Sequence, residues 1–385
     1  MQNFQNQPNT AAAFPALAMH THLALAALLA CGMASPAHAQ SQSNAGGSSV
    51  TIYGILDQSI EHLTNTNAAG TAINRVPNLT GSIPSRLGFR GTEDLGGGQK
   101  AVFALESGIA LDTGSLNNGG RLFGRFAYVG LGGPWGTVTA GRLANMSFFA
   151  STTEIFGGNL YGNASLDPYL PNARADNSVG YMGTFSNLTV GATYSLGRDT
   201  ATTGGPAASN CPGEGAGGAS ACRQWTAMLK YDTASLGGAL SYDVMHGGPT
   251  ALLGLNNASY EDSRTMLDGY AVWNGTRISG GLLHRHRTTA TELSSNLWYL
   301  GASYPVTPEL SIDAQISRLD VKHSDADATL AVLRGTYALS KRTNVYAMLG
   351  HIRNSGTSAV SLSAGATVGV GMGQSGFATG LRHTF

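Results

Sequence analysis

The stretch Val50-Thr51-Ile52-Tyr53-Gly54-Ile55-Leu56-Asp57 has a period of two. Val50, Ile52, Gly54, Leu56 and then Ile60 fall on one face. Thr51, Tyr53, Asp57, Ser59 and Glu61 fall on the other, with Ile55 and Gln58 as exceptions. Successive side chains of an extended chain point to opposite faces, so this pattern marks a strand with one apolar and one polar face. The alternation returns in residues 100–109, where Ala101, Phe103, Leu105 and Ile109 interleave with Lys100, Val102, Ala104 and Glu106. It returns again at the end of the chain, where Phe377, Leu381 and Phe385 oppose Ala378, Gly380, Arg382 and Thr384. A β-sandwich would fill its inner faces with bulky aliphatics. Here the second face reads as polar throughout, with Thr, Ser, Asn, Tyr, Arg and Glu. One face suits hydrocarbon and the other suits water, as in a closed barrel with an aqueous lumen.

Working outward, sixteen candidate strands start near Val50, Arg86, Lys100, Phe123, Thr137, Ser178, Leu188, Trp225, Ala239, Met266, Thr276, Asn296, Leu310, Thr329, Asn344 and Gly376. Tight connections (93–98, 132–136, 185–187, 274–275, 305–309, 340–342) alternate with long ones (65–84, 143–173, 197–222, 246–264, 353–375). An even number of strands with short turns at one end and long loops at the other predicts an all-β chain: a 16-stranded antiparallel transmembrane β-barrel. In hydrocarbon every backbone amide needs a partner, and only a helix or an edgeless sheet supplies one. After Gln40 no apolar run approaches the roughly 18–20 residues of a membrane helix. The composition agrees: 53 of 385 residues are glycine and only 11% are charged. Lys+Arg and Asp+Glu are 22 each, which excludes a nucleic-acid partner held by bulk positive charge.

Residues 23–33 (LALAALLACGM) form an apolar stretch of leader length, and Ala37-His38-Ala39 fits a small-x-small cleavage site. The expected organisation is a signal peptide over 1–39 cleaved after Ala39, a short segment 40–48, and a barrel over 49–385. Leu28-Leu29-Ala30-Cys31 has a lipobox-like shape and is the competing reading. No Lys or Arg precedes Arg75, and Met19 is an alternative start. Beyond the leader, Cys211 and Cys222 flank Pro-Gly-Glu-Gly-Ala-Gly-Gly-Ala-Ser-Ala. In an exported chain this reads as a disulfide pinning one loop. A redox-active pair is the alternative, but the segment offers no helix N-terminus to lower a thiol pKa.

Several segments, in order, resemble the general diffusion porins of Gram-negative outer membranes in their β-proteobacterial form. Residues 49–57 resemble the family's first strand. Ser85-Arg86-Leu87-Gly88-Phe89-Arg90-Gly91-Thr92-Glu93-Asp94-Leu95-Gly96-Gly97-Gly98 resembles its second strand and turn. Residues 123–131 and 136–142 resemble the fourth and fifth strands, and Arg174-Ala175-Asp176-Asn177-Ser178-Val179-Gly180-Tyr181 the entry to the sixth. Residues 337–343 resemble a late turn, and Gly380-Leu381-Arg382-His383-Thr384-Phe385 the terminal strand.

The resemblance implies a homotrimer in the outer membrane, in contact with lipid and lipopolysaccharide, with a constriction loop folded into each lumen. The longest loop, 143–173, falls at that position. Its Glu154-Ile155-Phe156-Gly157-Gly158 is similar to the family's acidic-aromatic-Gly-Gly motif. Glu154 would then face a basic ladder whose positions Arg86 and Arg125 match. Arg90 shares the face of Arg86 by period two. Glu106 and Asp57 complete the expected constriction, although Asp57 falls where enterobacterial relatives carry a basic residue, which weakens the basic row. Opposed charge rows orient dipolar solutes and bias ion passage. Arg142 shares parity with Val138 and Ala140 and is expected in the headgroup or subunit-contact zone. Phe385 matches the terminal aromatic that the barrel assembly machinery reads as an assembly signal.

Other motifs carry less. Gly96-Gly97-Gly98-Gln99-Lys100 lacks the GK[ST] ending of a phosphate loop. His284-Arg285-His286-Arg287 has no acidic or Cys ligand nearby in sequence, so no metal is expected there; its arginines are expected to meet lipopolysaccharide phosphates. His323, Asp325 and Asp327 read as a solvated loop, with calcium as a weaker alternative. No Gly-x-Ser-x-Gly elbow anchors nucleophilic catalysis, so no catalytic residue, cofactor or metal is expected. The expected function is a water-filled channel for passive diffusion of ions and small hydrophilic solutes. A substrate-selective porin needs an aromatic slide along the lumen, and a barrel enzyme would carry ten to twelve strands.

Overall fold

The computed structural model describes residues 47–79, 83–151, 154–157, 160–202, 208–215 and 220–385. The expected leader, 1–39, lies outside them. The sheet holds eighteen strands. Two are short side ribbons, Ile73–Arg75 and Ser115–Leu116; the other sixteen form the closed antiparallel barrel. They are β1 (Ser49–Leu63), β2 (Arg86–Gly96), β3 (Gln99–Ala110), β4 (Phe126–Gly133), β5 (Gly136–Ala144), β6 (Arg174–Phe185), β7 (Leu188–Ser195) and β8 (Gln224–Asp232). The second half comprises β9 (Leu236–His246), β10 (Glu261–Trp273), β11 (Thr276–Thr288), β12 (Leu293–Pro305), β13 (Leu310–Val321), β14 (Ala328–Ala338), β15 (Thr343–Asn354) and β16 (Gln374–Thr384). Each start falls within a few residues of its expected position.

Neighbours in sequence pair throughout, and one seam closes the ring. The first half of β1 pairs with β2, from Ser49↔Thr92 to Ile55↔Arg86. Its second half pairs with β16, from Ile55↔Thr384 to Leu63↔Gly376. The turns carry the backbone freedom that hairpins need. Asn274 and Gly275, between β10 and β11, both have positive φ (47° and 79°), which matches the strand twist in a two-residue turn.

The alternation turns the molecule inside out relative to a soluble protein. On β1 the apolar face looks outward, with Val50 70% and Ile60 63% exposed, while Asp57 (0%) and Glu61 (1%) are buried inward. Exposed Leu267, Leu282, Leu300, Ile316, Leu333 and Leu349 continue the outer apolar wall.

The inner face is not polar throughout, which corrects the sequence reading. Met266, Leu283, Leu297, Leu330, Val332, Met348 and Ile352 are buried on the inner side of β10–β15. The reason is the loop joining β5 to β6. Its Phe156, Leu160, Tyr161, Leu166 and Leu170 pack on that stripe and remove both apolar surfaces from water. At the mouth, Cys211 and Cys222 are bonded to each other. The pair is buried with Met245, Ala251 and Leu255, so the loops after β7 and β9 share a small core of their own.

Candidate functional site

The inner wall at β1–β4 gathers charge around Glu106. Gly88 on β2 stands in register with Tyr53 on β1 and Glu106 on β3. A Cβ on Gly88 would collide with the Tyr53 ring. Without one, Tyr53 lies across β2 and donates its hydroxyl to Glu106 Oε2 at 2.8 Å. Arg125, at the entry to β4, donates Nε to Glu106 Oε1 at 2.5 Å. Both carboxylate oxygens are thereby used. Arg86, at the start of β2, donates Nε to the Pro84 carbonyl at 3.0 Å.

Arg174, at the start of β6, completes the group. Its guanidinium lies 4.7 Å from the Phe148 ring centre and 5.7 Å from that of Phe126, and it donates Nη1 to the Pro171 carbonyl at 2.7 Å. Arg125, Glu106, Arg142 and Arg86 are its electrostatic neighbours. Arg86, Arg125 and Arg174 are 2%, 4% and 1% exposed. Arg86 Nη2 and Arg174 Nε and Nη2 have no hydrogen-bond partner among the described residues. Three buried guanidinium groups thus stand in the electrostatic neighbourhood of Glu106, of which Arg125 alone bonds it, and Asp57 is the second carboxylate acting on Arg86.

The remaining expected residues take other places. Arg90 shares the inner face but lies beyond Tyr53, exposed, with its guanidinium 5.0 Å over that ring. Asp57 is tied into the wall. It accepts from Tyr346 Oη at 2.6 Å and from the Ile83 amide at 2.9 Å, and so holds the segment leading into β2. Glu154 stands in the loop and accepts from the Asn163 amide and from Gln315 Nε2 on β13, both at 3.1 Å. Burial lifts its carboxyl to about 8, more than those hydrogen bonds offset.

Polar ties fix the loop against the inner wall. Asp243 on β9 accepts from Asn145 Nδ2 and from Gln224 Nε2, both at 2.8 Å, and from the Tyr169 hydroxyl. Arg264 on β10 donates to Asp167 at 2.8 and 3.3 Å and stacks 4.1 Å over Tyr169. Burial works to raise the Asp167 carboxyl, but Arg264 beside it holds it below the usual range. Arg334 on β14 pairs with Asp313 at 2.7 Å, stacks 4.6 Å over Phe156 and donates to the Ile155 carbonyl at 3.4 Å. Sequence reasoning missed Arg174, Asp243, Arg264 and Arg334. Period-two parity would have placed the last three on inner faces, but not their partners in the loop.

Two basic segments are decided by parity. Arg285 and Arg287 do not face outward toward lipopolysaccharide. Arg285 shares the face of buried Leu283 and donates to Asp262 at 2.9 and 2.6 Å, while Arg287 donates to the Leu253 carbonyl at 3.2 Å. The outward positions belong to His284 and His286. Arg142 stands opposite Ala127, on the face of exposed Val129 and Val138, and pairs with Asp176 at 2.5 Å; Arg121 reaches the same carboxylate at 3.1 Å.

A closed sixteen-stranded barrel with an apolar outside, a charged inner wall and a loop packed within is a transmembrane pore of the outer-membrane type. The chain belongs to the Gram-negative porin family, whose profile matches residues 24–357. It is 31% identical to outer membrane porin protein 32 of Delftia acidovorans, covering 88% of this chain and 94% of that one. It is 30% identical to an outer membrane porin protein of Bordetella pertussis, covering 86% of this chain and 94% of that one. Among solved structures, an anion-selective porin from Comamonas acidovorans superposes with a TM-score of 0.72 at 27% identity, covering 88% of this chain and all of that one. The protein resides in the outer membrane and forms a channel for passive diffusion of ions and small hydrophilic solutes.

Proposed function

We propose that the channel prefers anions and that Arg86, Arg125 and Arg174, set against Glu106, form the selective wall of its constriction. The observation that carries this reading is the set of unused donors: Arg125 alone is paired with Glu106, and donors on buried Arg86 and Arg174 have no partner among the described residues. Donors held ready in a poorly solvated wall favour an anion over a cation. Arg90 extends the basic face toward the mouth nearer Ser49, and Glu154 belongs to the loop that narrows the lumen. Asp57 acts as a strut of the wall. The solved relative named anion-selective supports the same sign.

The assembly we propose is a homotrimer in contact with lipopolysaccharide. It is exported by a leader cleaved after Ala39, and the assembly machinery recognises it through Phe385. No chemical step is assigned to the protein. Reversal potential in planar bilayers under a tenfold KCl gradient tests the reading. The wild type is expected to favour chloride, in conductance steps grouped in threes, and Arg125→Gln to lose roughly half or more of that preference. A wild-type channel that favours potassium would sink it.

A further inference from the structure

Arg198 stands just past the end of β7 and is 2% exposed. Its guanidinium joins two loops. On one side Nη1 donates to Asp199 Oδ2 at 2.8 Å, in the loop after β7. On the other side Nη2 donates to the Asn172 carbonyl at 3.3 Å, and the guanidinium lies 5.2 Å from the Tyr169 ring centre; both partners belong to the loop between β5 and β6. A planar guanidinium can bond through its edge and stack through its face at once. Tyr169 matters to the seating of that loop, because its hydroxyl is where Asn145, Gln224 and Asp243 converge.

Asp199 is the fixed end of this link. Its buried carboxylate also accepts the amides of Ala201 at 2.9 Å and of Ser209 and Asn210 at 3.1 Å, and the Ser209 hydroxyl at 2.7 Å. Its own amide donates to the Cys211 carbonyl at 3.4 Å. The bond from Cys211 to Cys222 carries the link across the loop, and the Cys222 amide donates to the Gly247 carbonyl at 2.8 Å. The arms of the loop meet backbone to backbone. A Cβ on Gly197 would collide with the Pro212 carbonyl, and one on Gly213 with the Leu196 carbonyl. A contiguous run of contacts thus leads from the disulfide through Asp199 and Arg198 to Tyr169 and Asn172.

We propose that Arg198 is a positioning residue through which the disulfide-closed mouth loop steadies the loop in the lumen. The proposal rests on the reading that residues 143–173 narrow the channel. The disulfide limits the conformations open to the segment between its cysteines, so Asp199 offers Arg198 a stationary carboxylate. Arg198 in turn keeps Tyr169 and Asn172 in place. Opening the disulfide leaves the barrel's backbone ladder intact, because neither cysteine lies in a barrel strand. Its effect is felt inside, as motion of the lumen loop. The dependence runs one way. Without Arg198 the Asp199 carboxylate keeps its backbone and hydroxyl donors, so the mouth loop holds its shape while the lumen loop loses a tie.

The test compares folded full-length channels by open-channel current noise in planar bilayers and by cutting with a broad-specificity protease. Arg198→Gln is expected to raise the noise by roughly twofold or more and to be cut faster within residues 143–173, with 199–222 cut no faster than in the wild type. Cys211→Ser combined with Cys222→Ser is expected to be cut faster in both loops and to be noisier than the wild type. All three substitutions together should be little noisier than Arg198→Gln alone, because they act through one link. An Arg198→Gln channel that is quiet and uncut overturns the proposal, whatever the serine pair does. So does a serine pair loosened only in 199–222 with a quiet current, or noise that adds when the substitutions are combined. A lumen loop that is cut while the current stays quiet leaves the link standing and overturns the reading that residues 143–173 narrow the channel.

Discussion

At Glu106 a single side chain holds the charged wall in shape. Its two oxygens are divided between Tyr53 and Arg125, so removing one donor leaves a buried carboxylate half satisfied. Losing a hydrogen bond to a buried charged group costs about 1.5–3 kcal/mol, so Tyr53→Phe should lower the stability of the folded barrel by that order in urea titration. Stability unchanged within error would mean that water replaces the phenol. The residue scale also marks the limit of the sequence. Arg86 and Arg125 were legible through the family resemblance, and Glu106 through the period-two alternation of its strand. The tie between Tyr53 and Glu106 was not, because it depends on Gly88 having no side chain, and a glycine announces room without naming what enters it. Glu154 was legible as a loop carboxyl. Its raised proton affinity comes from burial by strands more than a hundred residues away, which alternation does not encode.

At the scale of elements, the strands were readable because each carries its own period-two signal. The loop between β5 and β6 was readable only in position and length. Its short apolar segments have no period, and the strand residues that receive it are distant in sequence; Asp167 and Arg264 are 97 residues apart. The reading of a wholly polar inner face failed for the same reason: an aliphatic side chain facing inward looks like an exception until the loop that covers it is in place. The loop's hold can be tested at Arg264, which serves Asp167 in the loop and Asp262 on its own strand at 3.1 Å. Arg264→Gln leaves Asp167 without its cation, and stripping one partner from a buried pair costs about 3–5 kcal/mol. The barrel should survive, because its backbone ladder is untouched. The loop should not stay seated: open-channel current noise should rise, and protease should cut within residues 143–173 faster than in the wild type. A quiet, protease-resistant channel would place the anchor in Asp243 and the apolar contacts instead.

Across the whole molecule, fifteen sequential pairings leave one seam to be made between the ends of the barrel, β1 with β16. Until that seam forms, two strand edges stay unpaired, which hydrocarbon does not tolerate. The last residue finishes it. Phe385 and Gly54 exchange backbone hydrogen bonds at 3.0 and 3.1 Å. The Phe385 ring lies over Gly54 on the outer wall, where an added Cβ would collide with it. Gly54 sits in the apolar face of the stretch that first marked the fold, and there it is a seat for the terminal ring. Gly54→Leu keeps that face apolar and leaves the rest of β1 unchanged, yet it evicts the ring. Phe385 is 42% exposed on the lipid-facing wall, so what Gly54→Leu removes is the ring's packing over Gly54 at the one pairing that closes the sheet. Refolding into lipid vesicles, followed by the heat-sensitive gel mobility of the closed barrel, should therefore be slower for Gly54→Leu than for wild type. Phe385→Ala should slow it comparably, and the double variant should be little worse than either single one, because both remove the same contact. Additive losses would mean that the ring and the glycine serve the barrel separately, with Phe385 acting outside the seam.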